Sequence, residues 1–161
     1  MTDAAGLVAS ARQRLAGAPR ARLGELVTPR LFAQARGPRV VPRGEAWHLG
    51  VLLIADDALL ATGEIVRAHD PGRRGFTAQA SRERAELALA ALRGGFAEGE
   101  TVHVGWHVVD LDAVARGEAS GPVALVGAVP SVRWSHGAGR MPLAQYLDER
   151  IALLLRPPQG A

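Results

Sequence analysis

Two imidazoles four residues apart hold one metal ion when both project from the same face of a helix. His103 and His107 have that spacing, within the stretch GETVHVGWHVVD from Gly99 to Asp110. Their neighbours alternate instead: Val102, Val104, Trp106 and Val108 interleave with His103, Gly105, His107 and Val109, which is the period of a strand. Four residues of strand span about 13 Å. The two rings would then share a face but stand too far apart to share an ion. The chain also has no Cys, which removes thiolate metal ligands, cysteine nucleophiles and disulfides. No metal and no cofactor is expected.

The histidines belong to a wider pattern. His48-Leu49-Gly50 resembles His103-Val104-Gly105, and a Trp-His pair occurs at Trp47-His48 and again at Trp106-His107. The runs AWHLGVLLIA and ALLATGEIVRA are separated only by Asp56-Asp57, which suits a tight hairpin. That loop predicts a register in which Ala55 faces Ala58, Leu53 faces Leu60 and Gly50 faces Gly63. With the strand at 101–110 beside this hairpin, Gly50, Gly63 and Gly105 would floor a shallow groove ringed by His48, His103 and His107. Missing side chains leave room for a ligand or for a closely packed helix, so these six residues are the candidate binding site.

Three other groups bear on chemistry. Glu64 falls opposite Leu49 in the same register, where a buried carboxylate would act as acid or base and a solvated one would pair with Arg. In RWSHGAGRMP, Arg133 to Pro142, Ser135 spells part of a nucleophile elbow, but Arg133 stands where that motif needs glycine. Gly137, Gly139 and Arg140 precede a predicted helix, so its free N–H groups and the guanidinium form a candidate anion site. Arg73 and Arg74 in HDPGRRG offer a second. The chain contains no Lys, which excludes a Walker lysine, and no dinucleotide fingerprint follows a strand.

The elements that must position these residues are legible in part. Asp3 caps a predicted first helix, with Ala4, Leu7, Val8, Ala11 and Leu15 at helical spacing and Gly17 with Pro19 as the stop. RARLGELV reads as a short second helix. Residues 29–45 read as loop plus a short edge strand, RVVP. Ser81 begins the clearest helix, with Ala85, Ala88, Leu89 and Leu92 on one face and Gly94-Gly95 at its end. Residues 101–110 return to strand, DLDAVARG is a short helix, and GPVALVGAVPSVRW is a hairpin or one bent strand. Pro142 opens a last helix lined by Leu143, Leu147, Ile151 and Leu154 and closed by Pro157-Pro158. The expected architecture is one α+β domain over residues 1–161, with a mostly antiparallel sheet and helices packed on one face.

Composition narrows the function classes. The 161 residues are 48% hydrophobic, 22% charged and only 4% aromatic, so Leu, Val and Ala must build the core. No apolar run is long enough to span a bilayer. The N-terminal segment reads as a helix rather than a signal peptide, which places the protein in the cytoplasm. All nineteen basic side chains are Arg and the net charge is +3, a balance that argues against a nucleic-acid partner. The Arg-only, Gly- and Pro-rich usage is that of a GC-rich bacterial coding sequence.

TPRLFAQ, EAWHLGVLLI, ATGE, GGFAEGETVHVGW and VPSVRWS give the chain a resemblance, over most of its length, to a group of short actinobacterial proteins of unestablished function. Some of that group are labelled glutaminase. Serine-dependent glutaminases use an S-x-x-K site and glutamine amidotransferases use Cys, and this chain has neither Lys nor Cys; no functional residue carries over. The expected function is a noncatalytic binding or interaction module that uses the His/Trp/Gly sheet face or an exposed sheet edge. Its partner would be a small molecule, another protein or a second copy of the chain. The alternative is a small amidase-like hydrolase using His with Glu64 or Ser135.

Overall fold

A computed structural model describes residues 2–29, 37–72, 75, 78–137 and 139–160. In chain order the elements are α1 (Ala4–Leu15), β1 (Ala21–Val27), β2 (Arg39–Leu49), β3 (Leu52–Ile54), β4 (Leu59–Ala61), β5 (Glu64–Arg67), α2 (Gln79–Arg93), β6 (Thr101–Val104), β7 (His107–Val108), α3 (Leu111–Ala115), β8 (Val123–Val126), β9 (Val129–Arg133), β10 (Arg140–Pro142) and α4 (Leu143–Leu155). The β1–β6 pair is parallel, whereas β2–β3, β3–β4, β4–β7, β5–β6, β8–β9 and β9–β10 are antiparallel. The fold is therefore α+β with mostly antiparallel pairing, in a mixed seven-stranded sheet and a separate three-stranded antiparallel sheet of β8, β9 and β10. No helix among the described residues is long and apolar enough to cross a membrane.

The chain forms two compact units. The first comprises Met1–Arg20, Ala46–Thr62 and His107–Ala161, and the second Ala21–Glu45 and Gly63–Trp106. In the first, Asp3 Oδ1 accepts a bond of 2.8 Å from Gly6 N and starts α1. Val8, Ala11 and Leu15 of α1 and Leu143, Leu147 and Ile151 of α4 share one core with Leu49, Leu52, Ile54 and Leu59. Each fully buried Leu or Ile there stabilises by about 1.5–3 kcal/mol. The Asp56-Asp57 turn is as the sequence predicts: Ala55 N donates to Ala58 O at 2.9 Å, and Leu53 faces Leu60. Arg12 Nε donates to Ala55 O at 2.8 Å, and Arg20 pairs with Asp56 at 2.9 Å.

Beyond that turn the predicted hairpin fails. The run from Trp47 to Ala55 is two strands, because the chain reverses at Gly50-Val51 and Leu49 pairs with Leu52. Gly50 has φ +64°, a left-handed conformation that costs glycine little. Tyr146 fixes the reversal, its hydroxyl donating to Leu49 O and accepting from Val51 N, both at 2.8 Å. Gly50 therefore does not face Gly63, and Glu64 faces Val104 rather than Leu49.

The second unit holds β1, the Arg39–Glu45 part of β2, β5, α2 and β6. Its core joins Val40, Val66, Ala68, Ala90, Phe96, Val102 and Val104. Of RARLGELV, expected to be helical, Ala21–Val27 forms β1, with Arg22 beside Val102 and Leu23 beside His103. RVVP opens an eleven-residue strand rather than a short one. Residues 30–36 of the predicted loop lie outside the described residues. The predicted strand at 101–110 is broken at Gly105, whose φ is +71°, into β6 and β7. α2 starts at Gln79, two residues before Ser81, and ends at Gly94 as expected.

Candidate functional site: the open edge of β5

β5 is short and amphipathic in sequence. Val66 turns into the core while Glu64, Ile65 and Arg67 are exposed. It pairs with β6 on one side, and among the described residues no strand pairs with its other side. Alternation settles which main-chain groups are open. Ala68 N donates to Glu100 O at 2.8 Å, toward β6, whereas His69 N donates away from it, to Ala88 O of α2 at 3.1 Å. Main-chain groups two residues apart point the same way along a strand. Hence the N–H and C=O of Ile65 and Arg67 face the open side.

α2 supplies the opposite wall. Its C-terminal half is anchored by buried Ala90 and Ala91, while Gln79 to Arg84 are exposed. Between β5 and α2 lies a cavity of about 610 Å³, a size in the range of ligand sites, about 300–1,000 Å³. Ile65, Val66 and Arg67 line it from β5, and Ala80, Ser81, Arg84, Ala85 and Ala88 line it from α2. His69 also lines it, its ring bonded to the Glu98 carboxylate. Ile65 is 49% exposed, an apolar side chain in water at the rim of an apolar groove.

The six residues of the predicted groove are placed differently. His48, Gly50 and His107 belong to the first unit, and Gly63, His103 and Gly105 to the second. His48 Nε2 lies 2.9 Å from Gly50 O at the β2–β3 reversal. His107 is exposed on β7 opposite Ala61. His103 is buried in β6 between Leu23 of β1 and Ile65 of β5. Gly63 lies so near the Val104-Gly105 peptide that a Cβ would overlap its carbonyl groups. Both glycines of this pair thus serve backbone approach and turning. Sequence reasoning assigned them to a strand floor because the Gly105 break has no turn residue but itself. Trp47 and Trp106 donate to the carbonyls of Ala18 and Gly24 at 3.1 and 2.9 Å.

The remaining predicted groups are dispersed. Glu64 is exposed in the second unit, while Ser135 is half-buried after β9 in the first, with exposed His136 beside it. Gly137 and Gly139 are exposed, but β10 intervenes before α4, so their loop does not open a helix as expected. Arg140 Nη1 donates to Pro122 O at 2.7 Å. Arg73 and Arg74 lie outside the described residues. Among the described residues, no three His, Asp or Glu side chains gather as a metal-binding group.

The β5 groove was not found from sequence, although two of its signals are there: an apolar Ile65 between charged neighbours, and alanines at 80, 85 and 88 on one helical face. Compared with protein-family models, with curated proteins and with solved structures, the chain matches none.

Proposed function

We propose that the protein is a noncatalytic binding module that takes up an extended polypeptide segment along the open edge of β5, in the groove facing α2. The observation that carries this reading is the outward direction of the Ile65 and Arg67 main-chain groups. An unpaired strand edge is a template for another strand. Main-chain bonds would supply affinity, and the alanine-lined face of α2 leaves space for the side chains of the added strand.

The test uses a phage library of random octapeptides selected on the whole protein, followed by titration of synthetic winners. Ile65→Pro is the discriminating variant. Its lost N–H faces away from β6, so the ladder keeps its bonds and an edge strand tolerates the proline. Winners are expected to slow hydrogen exchange at Ile65 and Arg67 and to bind Ile65→Pro at least about tenfold more weakly, a loss of about 1.4 kcal/mol. Equal binding to wild type and Ile65→Pro, with exchange at both amides unchanged, would overturn the reading.

A further inference from the structure

We infer that the segment taken up at β5 is acidic, with a carboxylate side chain seated between Arg67 and Arg84; this rests on the reading of β5 as a docking edge. Two arginines line the groove, one from each wall, and among the described residues no Asp or Glu lines it. Neither Arg67 nor Arg84 forms an ion pair among the described residues, although Arg14, Arg20, Arg22, Arg43 and Arg116 each do. The third basic group, His69, is already bonded to Glu98. The acidic residues of α2 nearest in sequence, Glu83 and Glu86, fall off the helical face shared by Ala80, Arg84 and Ala88.

Arg suits this task. Its planar fork meets a carboxylate through two parallel bonds. The apolar lining from Ile65, Val66 and Ala85 lowers water's competition for such a pair. An extended segment places alternate side chains on one face, so the pattern that fits is a carboxylate flanked at two-residue spacing by small or apolar side chains. Net positive charge on the protein, +3 at pH 7, favours the encounter without fixing the register.

The experiment compares two acetylated, amidated octapeptides, TVTVEVTV and TVTVQVTV, by isothermal titration calorimetry at low salt with the full chain. The Glu peptide is expected to bind at least about tenfold tighter than the Gln peptide. That advantage should vanish in the double variant Arg67→Gln/Arg84→Gln and shrink as salt rises. Both side chains are exposed, and an unchanged thermal midpoint confirms that the variant is folded. Equal binding of the two peptides to wild type, with Ile65 and Arg67 amides protected by both, would overturn the acidic preference and leave the β5 edge standing. No binding by either peptide, with both amides unprotected, would overturn the edge and this inference together. A third arm uses decanoate: tight binding that leaves those amides exchanging freely would show an amphiphile site and overturn the inference.

Discussion

Gly63 illustrates how a single residue type can mislead. In sequence it looks like the partner of Gly50 across a hairpin; in the structure a Cβ at Gly63 would strike the Val104 and Gly105 carbonyl groups. Backbone cannot move aside as a flexible side chain can, so Gly63→Ala is expected to destabilise by about 1–3 kcal/mol. Gly139→Ala meets nothing within 4 Å and is expected to stay within about 0.5 kcal/mol of wild type. Urea unfolding of the two variants measures the difference, and equal midpoints would contradict the close approach. Gly105→Val, which strand propensity alone would favour, is strained by its positive φ whatever space surrounds it. Asp56 gives a pH-dependent prediction. The Arg20 guanidinium, by hydrogen bond first and charge second, holds its carboxyl below the ordinary range. Arg20 also stacks over the Trp47 ring at 3.9 Å. A depressed folded pKa means that the unfolded chain takes up the proton more readily. The stabilisation is therefore complete above the ordinary value of 3.8 and is lost as pH falls through the lower folded value. Thermal midpoints of wild type and Asp56→Asn are expected to differ at neutral pH and to converge once the pH falls below the ordinary carboxylate range. A difference that persists unchanged in acid would show that the ion pair is not its source.

At the scale of elements, the helices were the readable part. The 3.6-residue spacing of α1 and of α4 survives in the structure because each buries one apolar stripe, Val8 to Leu15 and Leu143 to Ile151. The Asp56-Asp57 turn was readable because its two flanks are apolar and in register. β1 was misread because Leu23, Leu26 and Val27 fit a helical spacing as well as a strand, and what decides is non-local: its pairing with β6, about eighty positions away in sequence. The Gly50 reversal was hidden for a related reason. AWHLGVLLIA looks continuous, and the group that fixes its break is Tyr146, far along the chain. Tyr146→Phe tests that assignment. It removes the bonds to Leu49 O and Val51 N while keeping the ring that packs the core. The expected cost is about 1–3 kcal/mol in urea unfolding, the penalty for leaving buried main-chain groups unsatisfied. Hydrogen exchange at Val51 should quicken more than at Leu53. Unchanged stability together with unchanged exchange at Val51 would mean that Gly50 alone makes the turn. The candidate site was the least legible feature. Histidine and glycine spellings point to residues that the fold spends on turns (Gly50, Gly105), close backbone approach (Gly63), sheet interior (His103) and an exposed end strand (His107), whereas the β5 edge depends on which side of a strand is left unpaired, which no local pattern records.

For the whole molecule, charge number and charge arrangement lead to different expectations about partners. A pI near 10.8 suggests a polyanion binder, yet nineteen basic residues face sixteen acidic ones and the net charge is only +3. The arrangement spreads that charge further. Arg14 pairs with Asp148, Arg20 with Asp56, Arg22 with Glu100, Arg43 with Glu25 and Arg116 with Glu118, so part of the positive charge is neutralised where it stands. Duplex DNA rewards the opposite, a stripe of unpaired cations that releases counterions, with a salt slope of about −0.9 per phosphate contacted. The β5 groove offers two arginines that form no ion pair among the described residues, enough for a carboxylate and too few for a DNA backbone. Titrating a labelled 20-base-pair duplex between 50 and 200 mM salt is therefore expected to give a log–log slope no steeper than about −2, and affinity no better than the weak end of nonspecific binding, about 10⁻⁴ M, at the higher salt. Arg67→Gln/Arg84→Gln should leave that weak binding almost unchanged while abolishing the preference for the Glu peptide. A slope steeper than about −4 would reveal a phosphate-tracking surface and would move the search for a partner from peptides to nucleic acid.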